Sequence, residues 1–352
     1  MDPSERIPIN VLTGFLGSGK TTLLNHMLRS SGFSDCAVLI NEFGEVGVDH
    51  HLIESVQGDI VLLQSGCICC TVRGDLAAAI RLLYEKREAG QVPRFRRLVI
   101  ETTGLADPTP VLSTIMHERV IQYHFRVGNV ITTVDAVNAQ SQMLKFPEAL
   151  KQIAVADRIV VTKNDLVTAT HVAVLQAQLL RLNPGAVLIN ANPGDATAAQ
   201  LLGEDVFTVA NKDREVERWF ERAPLGASRT LARTSGSVHA LGVESFVLEF
   251  DDAVNWTVFG VWLTLLLQSH GDRILRIKGL LDVQGCDTPV VIHGVQHLVH
   301  PPSHLQVWPP GRRQSKLVFI ACDIDQALIR QSFETFQMAL AKHPRVVHQG
   351  TR

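Results

Sequence analysis

The sequence predicts an α/β protein in which a mostly parallel, doubly wound sheet is followed by a smaller α+β domain. Over roughly the first two-thirds of the 352 residues, short β-branched runs alternate with longer helical patterns. This alternation is typical of parallel βαβ units, and uniformly apolar strands fit a sheet that is buried on both faces. A glycine-rich turn follows the first apolar run, and the pattern changes near residue 214.

The strands and helices of the first part follow from the periodicity of its apolar residues. Six short apolar runs predict buried strands at residues 7–12, 37–40, 97–100, 129–134, 158–162 and 186–189. Longer segments with helical spacing lie between them, among them residues 21–29, 76–88 and 171–182. We therefore expect a domain at residues 1–223 that is built on a parallel sheet.

The C-terminal part has a different pattern. A Gly/Ser/Thr/Ala-rich tract with little periodicity, residues 224–242, predicts an interdomain linker. After it, apolar runs predict strands at residues 244–250, 274–283, 290–298 and 316–320, and helical spacing predicts helices at residues 255–269 and 325–341. We expect an α+β domain at residues 243–345, in which a sheet is backed by two helices.

Composition excludes several classes of protein. Hydrophobic residues make up 46% of the chain, so a substantial core is available. The net charge of −2 offers no broad attraction for nucleic acid or anionic membranes, and we expect neither as a partner. The N-terminal residues lack a secretory pattern, and the most apolar run, residues 254–267, is too short to span a bilayer. We expect a cytoplasmic protein, in which clustered cysteines are metal ligands or catalytic thiols.

The first motif lies between the first predicted strand and the first predicted helix. Residues 14–21, GFLGSGKT, match the pattern G-x-x-x-x-G-K-[ST], whose backbone N–H groups surround phosphate oxygens at a helix N-terminus. An ordinary glycine-rich turn is the alternative, but the strand–loop–helix context favours a nucleotide site. Lys20 would neutralise the β- and γ-phosphates, and Thr21 would bind Mg²⁺. The predicted nucleotide-binding residues here are Gly14, Gly17, Ser18, Gly19, Lys20, Thr21 and Thr22.

A second motif predicts which base is bound. Residues 158–166, RIVVTKNDL, end an apolar strand with Thr-Lys-Asn-Asp, which resembles the N/T-K-x-D base-recognition motif of GTPases. The Asp165 carboxylate can accept hydrogen bonds from N1–H and the 2-amino group of guanine, whereas adenine would leave it desolvated and unpaired. Lys163 would lie along the base plane. The motif could instead simply cap a helix, but its position after a phosphate loop favours GTP over ATP.

Between these motifs, residues 98–108, LVIETTGLADP, form a predicted strand and a polar loop. Glu101 stands where many phosphate-loop enzymes place an aspartate near Mg²⁺. Its carboxylate would hold a metal-bound water or orient the attacking water, and the sequence leaves both open. At Gly104 a backbone N–H can meet the γ-phosphate. We predict Lys20, Thr21 and Glu101 as catalytic residues, and Gly104 as a nucleotide contact.

Half of the chain's six cysteines lie within one short loop. Residues 64–75, QSGCICCTVRGD, bring Cys67, Cys69 and Cys70 close together. Thiolates favour Zn²⁺ or Cu(I), and three of them with an open fourth position suit a site that releases its metal. A redox pair of Cys67 and Cys70, or a purely structural turn, are the alternatives. The phosphate loop in the same domain favours metal transfer.

Five motifs in sequence order resemble those of the CobW-like GTPases, metallochaperone relatives of the urease and hydrogenase nickel-maturation GTPases. They are GFLGSGKT (14–21), NEFG (41–44), GCICC (66–70), ETTGLADP (101–108) and TKND (162–165). Residues 294–302, GVQHLVHPP, are similar to part of that family's C-terminal domain. The resemblance implies a P-loop NTPase fold. It also implies hydrolysis of GTP, with Mg²⁺, coupled to handling Zn²⁺, with Co²⁺ or Ni²⁺ as alternatives.

The resemblance also implies residue roles and a client. Cys67, Cys69 and Cys70 would be the metal thiolates, and Asn190 would lie near the base. Glu42, and with it Glu45, would be a switch residue near the metal or Mg²⁺. The metal would pass to an apo-metalloprotein client, with hydrolysis of GTP to GDP driving its release. The alternative is a GTP-dependent metal sensor that regulates a partner without transferring metal. Whether the chain acts as a monomer or a homodimer stays open.

Histidine content departs from the family pattern. Many relatives have a histidine-rich tract between the domains, but residues 226–242 contain only His239. This departure argues against a storage role and against the cobalt-delivering subgroup. The histidines cluster instead at His293, His297, His300 and His304. Their spacing allows a second metal site, but an ordinary strand followed by a Pro-Pro turn is the favoured interpretation.

Overall fold

The computed structural model describes residues 6–29, 33, 35–41, 61–65, 73–191, 197, 199–203, 242–309 and 313–341. The chain divides into two compact units, Met1–Val243 and Glu244–Arg352. The expected linker lies outside the described residues except for Gly242, so its bounds and those of the flanking domains stay predictions.

The first unit is built on a seven-stranded sheet with the order β3-β2-β4-β1-β5-β6-β7. The strands are β1 Ile7–Gly14, β2 Cys36–Asn41, β3 Val61–Ser65, β4 Arg97–Glu101, β5 Phe125–Asp135, β6 Arg158–Thr162 and β7 Val187–Asn190. Each neighbouring pair is parallel. The strand order reverses around β1, and open sheets of this kind bind ligands at the carboxyl ends of the strands around such a reversal.

Seven helices of the described part of this unit connect the strands. They are α1 Lys20–Leu28, α2 Arg73–Glu88, α3 Thr109–His117, α4 Arg119–His124, α5 Ala139–Lys145, α6 Pro147–Val155 and α7 Ala169–Leu182. Proline stands in the first turn of α3 and of α6, where its fixed φ suits a helix start. Thr168 caps α7, because its hydroxyl accepts a hydrogen bond from the N–H of His171.

The sheet of the first unit is covered on both faces. The consecutive residues Val11 and Leu12 are both buried, although successive side chains of a strand point to opposite faces. On one face, Leu12 and Ile131 pack with Leu24 and Met27 of α1. The sequence expectation of a doubly wound parallel sheet is thus confirmed.

Residues 243–341 contain a separate six-stranded sheet with the order β11-β10-β9-β13-β8, and β12 pairs with β10. Its strands are β8 Val243–Phe250, β9 Ile274–Leu281, β10 Val290–Val295, β11 Leu298–Val299, β12 Ser303–His304 and β13 Ser315–Cys322. Strand β10 is antiparallel to β9, β11 and β12, and β9 is antiparallel to β13. The predicted α+β class of this part is confirmed.

Two helices, α8 Trp256–His270 and α9 Gln326–Ala341, share one core with this second sheet. Trp262 of α8 and Phe333 of α9 have ring centroids 4.7 Å apart. The Trp262 indole N–H also donates to the Ser332 hydroxyl (2.9 Å), so its polar atom is satisfied inside this packing. No helix among the residues that the structure describes is long and apolar enough to cross a membrane.

Candidate functional site

The loop between β1 and α1 has the shape that phosphate binding requires. Gly14, Gly17 and Gly19 have φ values of 142°, 71° and 90°, a region that side chains rarely adopt. A Cβ on Gly14 would lie 2.5 Å from the carbonyl oxygen of Thr133, so only glycine fits there. Successive backbone N–H groups of such a loop can face one anion at the start of α1.

The polar side chains of this loop point in different directions. The Lys20 ammonium donates to the carbonyl oxygens of Gly14 (2.9 Å) and Phe15 (3.2 Å), so it lies across its own loop. Ser18 is buried, and its hydroxyl meets that of Thr133 on β5 (2.7 Å). Thr22 is exposed in the first turn of α1. The lysine is thus held where a phosphate would replace carbonyl oxygens as its acceptor.

Thr21 and Glu101 come together from two different elements. The Thr21 hydroxyl donates to Oε1 of Glu101 over 2.9 Å. Glu101 ends β4, which pairs with β1, and its side chain is almost fully buried. A hydroxyl oxygen beside a carboxylate provides oxygen ligands of the kind that Mg²⁺ prefers. Thr21, which was predicted to bind Mg²⁺, is therefore adjacent to Glu101, which was predicted to hold a metal-bound water or to orient the attacking water.

Gly104 packs against the backbone of the phosphate loop. A Cβ at this position would lie 2.7 Å from the backbone nitrogen of Leu16, so the approach depends on glycine. The buried side chain of Gln152, on α6, donates to the carbonyl oxygens of Gly104 (3.1 Å) and Ala106 (2.9 Å). Gln152 therefore secures the loop predicted to meet the γ-phosphate. The sequence analysis missed it, because nothing in the helix pattern of α6 signals such a contact.

The Thr-Lys-Asn-Asp motif is joined directly to the phosphate loop. The Thr162 hydroxyl donates to the carbonyl oxygen of Ser18 over 2.8 Å. Lys163 adopts a left-handed backbone, and Asn164–Leu166 form a single 3-10 turn that leaves Asp165 exposed. The two predicted halves of the nucleotide site are thus one structural unit.

Asn190 lies beside this motif at the end of β7. Its side-chain oxygen accepts hydrogen bonds from the amides of Asn164 (3.3 Å) and Gln176 (2.9 Å). Asn164 also donates to the carbonyl oxygen of Val161 (3.0 Å). Asn190 therefore supports the turn that presents Asp165, and its predicted place near the base stays a prediction.

Asp135, at the end of β5, forms an ion pair with Lys163. The lysine Nζ lies 2.7 Å from Oδ2 of Asp135. Burial by itself raises the pKa of the Asp135 carboxyl, but hydrogen bonds from Lys163, Asn138 and the N–H of Val137 outweigh burial and hold that pKa below its ordinary value. The sequence analysis missed this residue, although an aspartate closing the strand next to the Thr-Lys-Asn-Asp strand was a usable signal.

The predicted metal residues Cys67, Cys69, Cys70 and Glu42, together with Glu45, lie outside the described residues. The described residues contain no group of three or more His, Cys, Asp or Glu side chains able to hold a metal ion. Cys36, on β2, is buried, and burial raises the pKa of its thiol to about 12, so it stays protonated and inert. The thiol loop remains the predicted metal site.

The C-terminal histidines are engaged in separate local contacts. His297 Nδ1 lies 2.8 Å from the carbonyl oxygen of Leu267, and its Nε2 lies 3.0 Å from Asp272. His304 Nδ1 lies 3.2 Å from the Thr288 hydroxyl. The rings of His293 and His300, both buried, have centroids 6.4 Å apart. The arrangement favours ordinary structural roles over the second metal site that the sequence left open.

Fold and site together define a P-loop nucleotide-binding protein with a base-recognition motif joined to its phosphate loop. The sequence matches the family model described as CobW/HypB/UreG, nucleotide-binding domain, over residues 8–190. It also matches the cobalamin synthesis protein cobW C-terminal domain over residues 243–337. The chain belongs to the CobW/HypB/UreG family, and the resemblance inferred from its motifs is confirmed.

Similar proteins cover nearly the whole chain. It is 34% identical over 332 residues to the zinc chaperone YjiA of Escherichia coli (strain K12), an alignment that covers 93% of this chain and 98% of that one. It is 29% identical over 360 residues to a zinc chaperone CobW of Sinorhizobium, which covers 92% and 96% of the two chains. The crystal structure of zinc-bound YjiA GTPase from E. coli aligns with a TM-score of 0.69, 29% identity and coverage of 94% and 99%.

Proposed function

We propose that this chain is a GTPase that binds a transition metal, above all zinc, and delivers it to an apo-protein client. Membership of the family supports this proposal, and so does similarity to a zinc chaperone and to a zinc-bound GTPase. The geometry adds one observation of particular weight. The Thr162–Ser18 hydrogen bond joins the base motif to the phosphate loop, as a single guanine nucleotide bound across both would need.

Guanine would be recognised by Asp165. Its exposed carboxylate, presented on the turn after β6, has two acceptor oxygens for the N1–H and 2-amino group of guanine. Adenine has no matching pair of donors, so ATP would leave the carboxylate desolvated without a partner. Asn164 and Asn190 hold the turn, and Lys163 would lie along the base.

The γ-phosphate would be met at the other end of the crevice. Lys20 would exchange its loop carbonyl acceptors for the β- and γ-phosphate oxygens, and the N–H of Gly104 would contact the γ-phosphate. Thr21 and Glu101 would hold Mg²⁺, which when bound supplies positive charge to the phosphate oxygens. The Glu101 carboxylate would also orient water near the γ-phosphate. The Thr21 hydroxyl, at the start of α1, already contacts Glu101 at the end of β4.

Zinc is the cargo rather than a resident cofactor in this proposal. Cys67, Cys69 and Cys70 would bind it as thiolates, with Glu42 close by. A structural zinc site usually has four protein ligands, whereas three thiolates leave one position for a client's ligand. Cobalt and nickel are the alternative cargos, and a metal-dependent client is the expected partner.

Zinc transfer to an apo-enzyme tests the proposal. The zinc-loaded chain is mixed with the apo-form of a zinc-dependent enzyme, whose recovered activity is measured with GTP, with GDP and with a non-hydrolysable GTP analogue. We expect recovery with GTP to exceed recovery with the analogue. Replacing Cys67, Cys69 and Cys70 by serine should abolish transfer, and Cys286→Ser, which removes a thiol of the second unit, should not.

The same assay separates the alternative function. A metal sensor would bind zinc and hydrolyse GTP, yet no enzyme activity would return in any nucleotide state, and zinc would stay with the chain. That result would replace delivery by regulation of a partner. Absence of GTP hydrolysis by the parent chain would contradict both functions.

A further inference from the structure

The geometry points to Asp135 as a positioning residue for nucleotide recognition, which holds Lys163 where it meets the base. This inference rests on the proposed guanine site and extends it to a residue outside the Thr-Lys-Asn-Asp motif. Asp135 is the last residue of β5, and Lys163 directly follows β6, the neighbouring parallel strand. Asp135 pairs in register with Thr162, so the acid and the lysine lie at the same edge of the sheet.

The carboxylate is held in place by its own turn. The Asp135 side chain is only 1% exposed. Its Oδ1 accepts a hydrogen bond from the N–H of Val137 (2.8 Å), and its Oδ2 accepts one from the side-chain amide of Asn138 (2.8 Å). Both donors lie within three residues of Asp135. The carboxylate therefore keeps its position without any contribution from the lysine.

The lysine, in contrast, needs a partner to keep one conformation. Lysine loses more side-chain entropy on ordering than most residues do. Its backbone here is left-handed, with φ 57° and ψ 30°, a conformation that few residues other than glycine adopt. The Lys163 side chain is 35% exposed, and its ammonium contacts Asp135 Oδ2. The ion pair thus orders a side chain that remains accessible, before a nucleotide arrives.

A purely stabilising ion pair is the competing explanation. The lysine of this pair is 35% exposed, so water screens part of its attraction for the buried carboxylate and limits what the ion pair adds to folding stability. The turn at residues 135–138 already satisfies the carboxylate, so folding does not depend on Lys163. Ordering a binding residue in advance, however, removes an entropy cost that binding would otherwise include. The expected effect therefore falls on nucleotide affinity rather than on folding.

Asp135→Asn tests the inference. Its amide keeps an oxygen for the Val137 N–H, but it removes the charge that holds Lys163 and the second oxygen, which accepts from Asn138. We expect the Kd for GTP to rise about tenfold, with kcat changed less than about twofold, because Lys20, Thr21 and Glu101 are untouched. The Kd for ITP, which lacks the 2-amino group, should rise by the same factor. Asp165→Asn, in contrast, should raise the Kd for GTP more than the Kd for ITP.

Two comparisons separate positioning from stability. Glu118→Gln removes an ion pair to Arg81 (2.6 Å) at the start of α4 and should leave the Kd for GTP unchanged. In a Lys163→Ala background, Asp135→Asn should add nothing further to the Kd. Thermal unfolding of both variants is also measured, and the loss of GTP affinity in Asp135→Asn should persist at temperatures well below its unfolding transition.

An unchanged Kd in Asp135→Asn would overturn the inference, and so would an equal effect in the Lys163→Ala background. Failure of Asp135→Asn to fold would also overturn it, since that result assigns the carboxylate to folding. In each of these cases the parent chain still binds GTP, so the proposed GTPase stands. If the parent binds neither GTP nor ITP, both the inference and the proposed function fail.

Discussion

The two ends of the nucleotide crevice are built in different ways. The phosphate end is mainly one continuous segment, residues 14–21, whose glycines shape the loop around backbone N–H groups. The base end is assembled from side chains of separate elements. Asp135 of β5, Lys163 after β6 and Asn190 of β7 lie far apart in sequence, and hydrogen bonds bring their surroundings together.

This difference has a consequence for recognition. Backbone N–H groups recognise any phosphate, so the phosphate end would supply affinity and chemistry but no choice of base. Side-chain carboxylates and amides recognise one pattern of donors and acceptors, so the base end would supply selectivity. Substitutions at the two ends should therefore change different measured quantities.

Lys20→Ala should have the largest effect, and the quantity that it changes should be the rate of GTP hydrolysis. Removing the ammonium that is predicted to face the β- and γ-phosphates should lower kcat for GTP hydrolysis about 100- to 1,000-fold, and it should also weaken nucleotide binding. Steady-state phosphate release measures this change. Lys145→Ala, at the end of α5, is the control and should retain parent activity. Parent turnover in Lys20→Ala would refute the phosphate-loop assignment.

Asp165→Asn should instead change the preference of the protein for GTP over ATP. The parent should bind GTP well over tenfold more tightly than ATP, a difference of more than about 1.4 kcal/mol. The amide offers one acceptor and one donor group in place of two acceptors, so the preference should shrink while kcat at saturating GTP changes little. Titration with fluorescent GTP and ATP analogues measures both affinities. Equal affinity of the parent chain for the two nucleotides would disprove guanine recognition.

The affinity for zinc should depend on the phosphates of the bound nucleotide and not on its base. If Glu42 or Glu45 belongs to a segment held by the γ-phosphate, zinc affinity should differ between a non-hydrolysable GTP analogue and GDP. A coupling of about 1–3 kcal/mol corresponds to a roughly 5- to 150-fold difference. Chelator competition in each state measures it, with the triple Cys→Ser variant as control. Equal zinc affinities in the two states would leave a metal-binding GTPase without a coupled cycle.

Gln152→Leu should have the smallest effect. It tests whether Gln152 acts on the phosphate end through the Gly104 loop. Loss of its two hydrogen bonds to residues 104 and 106 should lower the free energy of unfolding by about 1–3 kcal/mol. Hydrolysis should slow roughly threefold, because the Gly104 loop is less well held, while GDP, which has no γ-phosphate, should bind as before. Gln178→Leu, which removes a solvent-exposed hydrogen bond between Gln140 and α7, is the control. A weakened affinity for GDP would show that Gln152 does not act through the γ-phosphate loop.

Much of the fold was predictable from local signals. The buried strands of the first sheet are short apolar runs, and the predicted positions of β1, β4 and β6 lie within two residues of those in the structure. The helices α3 to α6 were not among those predicted. They are short, six to nine residues each, and α3 and α6 contain proline in the first turn, so they show too few turns for a clear period. Strand β3, Val61–Ser65, was not among the six strands predicted for this part of the chain.

The sequence by itself determined the chemistry of the phosphate loop, because its function depends on neighbouring residues and on backbone geometry that glycine permits. It also determined the order of the motifs, from which the family was inferred. Only the tertiary structure decided that Asp135 pairs with Lys163, that Gln152 holds the Gly104 loop, and that Thr162 binds the Ser18 carbonyl. These contacts join residues 28, 48 and 144 positions apart. No local sequence pattern encodes contacts between residues so far apart in the chain, because these contacts depend on which strands become neighbours in the sheet.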